Sequence, residues 1–402
     1  MSAEVVTKAA PVRLDSLTAL RFFAALFVVV HHVTRIYDPI PVVSELFELG
    51  GVGVSFFFVL SGFVLTWSHR DGQQVRRFYR HRFARVYPLH LLTLVVALSV
   101  LLLQGQERDA GVVVLSVLLL QAWVPTAAAL AGVNGPSWSL SSEAFFYAVF
   151  PLVRGVLARR SVRQLTAIGV GVLVLAAAVA LTLRIAIGGD SVNFFLYMDP
   201  TYRFWEFVLG IVAALLLRAG RLPAVRVGAA VLAALGAYLL VALVDVAVRE
   251  RIGLFARIPF QTFPSDLAAI GLAPVFALLI IAAAQSDLAG AASFLRSPVL
   301  IRLGTWSFAL YLTHLVLISA LQPLLPDGRT LITSIAIALG TIVAAIALSA
   351  AAYHFVERPL ERRIRGGAGA PRHDRADAST RPAAALTGAA AESGGTSERN
   401  ER

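Results

Sequence analysis

The chain has 402 residues, 58% of them hydrophobic and 15% charged, with a mean hydropathy of +0.76, more apolar surface than a soluble globular domain carries. Its formal net charge of +11 does not mark a nucleic-acid binder, because the arginines gather in short loops between apolar runs, as the positive-inside rule requires. The absence of cysteine excludes disulfides, thiolate metal sites and an enzyme-bound thioester, and no metal is expected.

Residues 1–16 form a short, mildly basic lead. No cleavable signal peptide is expected, since the first apolar run keeps Arg21, His31 and His32 and lacks a small-residue cleavage site. Ten apolar runs approach the ~20-residue bilayer length. They lie near 17–37, 50–68, 86–104, 138–154, 165–185, 203–218, 226–247, 266–284, 304–322 and 330–355.

The first run, LTALRFFAALFVVVHHV, carries an arginine and a histidine eleven residues apart. Ionisable residues inside a span are costly and mark functional sites. At about 100° per residue, Arg21 and His32 share one helix face, about 16 Å apart along the axis, while His31 points roughly 80° away. The plain reading is that Arg21 snorkels to the headgroups and His32 bonds a neighbouring helix. The functional reading makes His32 a general base at the end of a path that starts at Arg21.

The second run, GGVGVSFFFVLSGFVL, is rich in glycine and aromatics. It lacks a P-loop lysine and a Rossmann context, so Gly51, Gly53, Ser55, Ser61 and Gly62 point to close helix packing. The loop HRDGQQVRRFYRHRFARVYP that follows is the most basic, which makes it cytoplasmic, and with it the N-terminus two spans earlier. Arg82 and Arg85, i and i+3, can clamp a phosphate with forked hydrogen bonds. Anionic lipid headgroups are the plain ligand and a nucleotide-bearing cofactor the sharper one.

Residues 111–136 break the alternation of sides. Their apolar stretch is short for a span, and counting it as one puts the basic loop after Pro151 on the wrong side. A re-entrant or interfacial segment restores parity; eleven spans is the alternative. Next, SWSLSSEAFFYAVFP places Glu143 about a turn and a half into a helix. An acid favoured by the helix dipole is one reading. The other sets Glu143 in the outer half at the depth of His32, where a carboxylate would orient the imidazole, with Trp138, Ser139 and Ser141 lining the same mouth. Arg203 and Glu206 are expected to pair at a span's outer end. His314, in WSFALYLTH, reads equally as a satisfied core histidine or a site residue. From Gly366 onward the chain is too poor in large apolar residues to fold and reads as a disordered tail.

The fold expected is therefore all-α: a polytopic membrane helix bundle of about ten transmembrane helices plus one re-entrant or interfacial segment. The membrane domain covers 17–360. Residues 361–402 form a basic juxtamembrane end and tail, and both termini are cytoplasmic in the plasma (inner) membrane.

In order and spacing these motifs resemble the acyltransferase 3 family of integral-membrane acyltransferases: Arg-x10-His, GGVGVSFFFVLSGFVL, RFARVYPLH, SWSLSSEAFFY, the Arg203–Glu206 span, WSFALYLTH and a closing ERP, from about Leu14 to Pro359. The resemblance implies transfer of an acyl group, usually acetyl from acetyl-CoA, to a hydroxyl of a carbohydrate or related acceptor. It implies that His32 is the essential histidine, Arg21 its partner, Arg82 and Arg85 the cytoplasmic Arg-x-x-Arg, and Trp138, Ser139, Ser141 and Glu143 the Trp-Ser-Leu-Ser-x-Glu element. Trp205 stands where many relatives have proline, and no fused hydrolase-like domain is expected after Pro359.

On this reading His32 takes the acceptor's proton, Glu143 orients it, and Arg21, Arg82 and Arg85 hold the donor's phosphates. Arg203 and His314 are assigned to the substrate. Direct transfer and an acyl-histidine both fit. Surface polysaccharide, lipid-linked glycan, peptidoglycan and a secreted glycosylated metabolite all fit as acceptors, with membrane lipids as surroundings. The competing class is a multi-span transporter of a lipid-linked sugar or acylated small molecule, which would move its substrate without consuming acetyl-CoA.

Overall fold

The computed structural model describes residues 13–37, 40–70, 72–126, 128–129, 132–257 and 262–366. Most of the expected lead and almost all of the expected disordered tail lie outside the described residues. Ten helices are long and apolar enough to cross a membrane: α1 (Asp15–Ile36), α2 (Gly53–Ser68), α3 (Val75–Leu103), α4 (Trp138–Leu157), α5 (Val162–Ala186), α6 (Pro200–Arg218), α7 (Val227–Arg249), α8 (Ser265–Leu288), α9 (Pro298–Leu321) and α10 (Leu331–Ala352). A short basic helix, α11 (Arg358–Arg365), follows. The protein is an all-helical, multi-pass membrane bundle.

Local chemistry sets several of the breaks. Ser161 caps α5 in a reciprocal box with Gln164. Asp199 and Ser297 cap α6 and α9, each followed by a proline whose missing N–H costs nothing in a first turn. Thr330 caps α10.

α3 differs from expectation. It begins at Val75, so the arginine run expected as a loop is its first three turns, and Pro88 lies inside the helix. Two aromatics pin this basic end to α4. Phe78 stacks on Phe150 with centroids 5.3 Å apart, and Tyr79 donates to the Ala148 carbonyl at 2.8 Å.

Among the described residues, the irregular stretch before α4 holds the helix Ala110–Val117, two helical residues at 128–129 and single turns at Gln121–Trp123 and Gly135–Ser137. None is long enough to span, which keeps the count at ten. The stretch is held by side chains because it lacks a regular backbone ladder. His90 Nε2 donates to Ser116 O at 2.9 Å, Gln121 donates to Ser137 O at 2.9 Å, and Asn134 Nδ2 donates to Leu312 O at 3.0 Å. Leu312 lies well inside α9, so the chain is already deep when α4 starts.

Glycines allow the closest helix approaches. A Cβ on Gly62 would lie 2.1 Å from Phe207 O, and one on Gly210 would lie 1.9 Å from Val59 O, so α2 and α6 meet backbone to backbone. Gly304 does the same for α9 on α1, where a Cβ would lie 1.8 Å from Thr18 O. Small residues at such crossings replace the hydrophobic drive that lipid does not supply.

Gly210→Ala is expected to lower stability by about 1–3 kcal/mol or more through overpacking. Gly340→Ala, where a Cβ meets nothing within 4 Å, is expected to leave it unchanged. Thermal melting of the purified protein in detergent distinguishes the two.

Candidate active site

Arginines from α1 and α3 converge on one cavity. It measures about 140 Å³ and is lined by Arg21, Arg82, Arg85, Ser139, Glu143, Tyr147 and Tyr311, with Phe57, Ser61 and Phe308 in its apolar wall. Ser139, Glu143 and Tyr147 are spaced by four, so α4 turns all three to the same side. Arg82 and Arg85 come from the first turns of α3, and Arg21 from the second turn of α1.

The guanidiniums are unequally satisfied. Arg85 pairs with Glu357, which is 2% exposed, and lies 3.7 Å from Glu361. Arg82 rests over the Phe78 and Tyr147 rings, 5.9 Å from each centroid, and its buried Nε has no hydrogen-bond partner. Arg21 reaches no carboxylate at ion-pair distance among the described residues. A cation held in a low-dielectric cavity without a counter-ion is expensive, so the cavity suits an anion with several charged oxygens.

The histidines occupy the other half of α1 and α9. His32 Nδ1 lies 2.8 Å from Val28 O and 3.3 Å from His314 Nε2. His314 Nδ1 lies 3.1 Å from Leu310 O. A carbonyl oxygen only accepts, so in the neutral pair each Nδ1 carries the proton. His314 Nε2 then offers a lone pair to His32 Nδ1–H, and His32 Nε2 is left unprotonated, as a general base must be. His31 faces elsewhere: its Nδ1 donates to Phe47 O at 2.7 Å and ties down the loop after α1. Tyr311, one turn before His314 and 6.0 Å from it between ring centroids, links the imidazoles to the cavity. Its hydroxyl lies 2.9 Å from Ser139 Oγ and donates to Pro136 O at 3.1 Å.

The residues singled out in the sequence therefore fall into two groups and a remainder. Arg21, Arg82, Arg85, Ser139 and Glu143 meet in the cavity, and His32 meets His314. Glu143 and His32 are not brought together. The Glu143 carboxylate accepts from the Tyr147 hydroxyl, and the hydrogen bonds of His32 go to α1 and α9. The cause is the depth at which α4 begins, which carries Glu143 down to the level of Arg21.

Ser141 donates to Gln121 Oε1 at 3.1 Å and holds the irregular stretch. Trp138 packs against Phe58 and Tyr197. Arg203, 2% exposed, bonds Glu206 at 3.1 Å and Ser55 at 2.9 Å inside an aromatic cage of Phe58, Trp138 and Tyr197. These three lie outside the lining of the cavity.

Three residues of the site escaped the sequence reading. Tyr147 and Tyr311 look like ordinary core aromatics. Glu357 sits in the ERP triplet, which entered the resemblance with no role attached to its acid. A π-helical turn, Tyr353–Glu357, delivers it to Arg85.

Residues 14–354 match the family model described as an acyltransferase domain. The chain is 39% identical over 330 residues to the acyltransferase MdmB of Streptomyces mycarofaciens, covering 76% of this chain and 79% of that protein. It is 29% identical over 335 residues to the exopolysaccharide production protein ExoZ of Rhizobium meliloti (strain 1021), covering 79% and 92%. It is 25% identical over 370 residues to the putative peptidoglycan O-acetyltransferase YrhL of Bacillus subtilis (strain 168), covering 86% and 55%. No solved structure matches the chain.

Glu357→Ala leaves Arg85 poorly compensated and is expected to destabilise the protein by about 3 kcal/mol. The double variant Arg85→Ala with Glu357→Ala is expected to lose less than the sum of the two single changes. A thermal-melting cycle in detergent reads both.

Proposed function

This chain belongs to the acyltransferase family defined by that domain and is an O-acyltransferase, and on that premise we propose that it moves an acetyl group from acetyl-CoA to a hydroxyl of a carbohydrate or glycosylated acceptor, with His32 as general base. The observation that carries the reading is the pair of contacts that His32 Nδ1 makes. With Nδ1–H shared between Val28 O and His314 Nε2, the free lone pair is on Nε2. His32 Nε2 takes the proton of the acceptor hydroxyl, the hydroxyl oxygen attacks the thioester carbonyl carbon, the carbon–sulfur bond breaks, and the proton passes to the leaving thiolate.

Arg21, Arg82 and Arg85 hold the donor's phosphates. The orphaned Nε of Arg82 and the missing counter-ion of Arg21 support that role, because a polyanion satisfies both. Glu143, which accepts from the Tyr147 hydroxyl, lines the same cavity as the three guanidiniums, so it belongs with the donor and not with the base. His314 is a positioning residue that keeps His32 in the working tautomer.

The basic start of α3 argues for a cytoplasmic donor cavity and cytoplasmic termini. Carbohydrate as the acceptor draws support from the names of two relatives, one an exopolysaccharide production protein and one a putative peptidoglycan O-acetyltransferase.

Turnover of labelled acetyl-CoA in proteoliposomes tests the proposal. His32→Ala is expected to lose about a hundredfold or more in kcat, and His31→Ala to stay within a few-fold of the parent. Wild-type turnover in His32→Ala would remove the mechanism. Arg21→Ala and Arg82→Ala are expected to raise the donor KM about tenfold, the scale of one lost charge-assisted hydrogen bond of ~1.5 kcal/mol. His314→Gln, whose amide oxygen can still accept from His32 Nδ1–H, is expected to keep more activity than His314→Leu.

A further inference from the structure

A second cavity, about 250 Å³, opens at the far ends of α3 and α9. It shares a helix seam with the arginine cavity. On α3 the first cavity reaches Val86 and the second begins at Ala97, about 16 Å further along the axis. On α9 the two are only one turn apart: Tyr311 lines the first and Leu315 the second. The wall between them is thin. Gly135 packs so closely on Leu315 that a Cβ there would lie 2.7 Å from its Cδ2, and Tyr311 is bonded to Pro136 and Ser139. His314 lies between Tyr311 and Leu315 in the chain, at the level of this wall.

The lining differs in kind from that of the first cavity. Gln104, Gln106, Asn134 and Gln322 supply carboxamides, Ser319 a hydroxyl, and among the described residues no carboxylate lines the cavity. Its single guanidinium, Arg108, donates to the Gly132 and Glu107 carbonyls at 3.3 and 3.2 Å. Asn134 is 2% exposed, and its Nδ2 is spent on Leu312 O. Its Oδ1 is buried without a partner. A buried acceptor left open in a polar cavity calls for a donor from outside the protein. Carboxamides both donate and accept, as sugar hydroxyls do, whereas an anion would need the cations that stand in the first cavity.

We propose that this second cavity is the acceptor subsite: it binds a neutral polyhydroxylated substrate, such as a sugar residue, with Asn134 Oδ1 accepting a hydrogen bond from one of its hydroxyls. The proposal rests on the acyl-transfer reading above. Donor and acceptor enter from opposite ends of the α3–α9 seam and meet at the level of the imidazole pair.

The test uses the full chain in lipid nanodiscs, [1-14C]acetyl-CoA as donor, and an extract of the source cells' envelope and culture fluid as acceptor. Label entering carbohydrate is followed as extract and donor are varied separately. Asn134→Ala is expected to raise the extract concentration for half-maximal transfer at least tenfold, with the donor KM within twofold of the parent. Because the chain has no cysteine, Gln106→Cys gives a single thiol at the cavity, which a bulky maleimide can block after folding. Blocking is expected to cut transfer at least tenfold relative to the same protein before reaction, with binding of labelled acetyl-CoA retained. If Asn134→Ala also loses donor binding, it has misfolded and the blocked protein decides. Unchanged half-saturation together with unchanged transfer after blocking would mean that the cavity holds water only, and the subsite is overturned while the parent's transfer stands. If the parent binds donor yet labels no fraction of the extract, the acyl-transfer reading falls and this proposal with it.

Discussion

A charge inside a membrane-spanning bundle has to be neutralised where it stands, since neither lipid nor neighbouring apolar helices will solvate it. Most charges in this protein obey. Arg203 and Glu206 close a pair within one helix, under 3% exposed, and the surrounding rings of Phe58, Trp138 and Tyr197 add a face of negative potential to the guanidinium. Arg184 answers Asp266, and Asp287 receives both the amide and the hydroxyl of Ser16 at 2.8 and 2.7 Å. Arg85 answers Glu357. Against that background Arg21 and Arg82 stand out, and both line one cavity. A bundle that pairs Arg85, Arg184 and Arg203 with carboxylates, and gives Arg21 and Arg82 none at ion-pair distance among the described residues, suits an anion that it does not itself supply.

The same economy shapes the path from those arginines. α3 and α9 run beside each other with a cavity toward each end, and the short turn Gly135–Ser137 with the start of α4 is wedged between. The wedge is irregular, so its polar groups are satisfied by side chains: Ser139 by Tyr311, Ser141 by Gln121, and the Ser137 carbonyl also by Gln121. The serine-rich motif at the start of α4 thus serves mainly to seat non-helical backbone at membrane depth, which is tolerated only where protein covers it. Two histidines on α1 and α9 complete the arrangement. Each proton position there is dictated by a helix carbonyl one turn back, so the chemistry of the pair is written into backbone geometry.

Much of this was legible in the chain. Ten spans follow from the lengths of the apolar runs, and the short segment between the third and fourth follows from the parity of the basic loops. Arg21, Arg82 and Arg85 were joined as a set only through the family resemblance, and the structure brings all three to one cavity. Glu143 was placed with the wrong neighbour, because a helix was assumed to start at the membrane surface when this one starts inside the bundle. Glu357 and the tyrosines were missed because their roles depend on which helix faces them, and an acid next to arginines in sequence looks like surface charge.

The sequence by itself determined what repeats locally: the all-helical class, the number of spans, the shared face of Arg21 and His32, and the small-residue packing of the second span. These follow from hydrophobic run length and the helical period, which need no partner. Only the tertiary structure decided the depth of α4, and with it that Glu143 joins the arginines, that His32 meets His314 and not a carboxylate, and that Glu357 neutralises Arg85. Each of those is a contact between helices far apart in the chain, where a rise of about 1.5 Å per residue turns a few residues' difference in starting depth into a different partner.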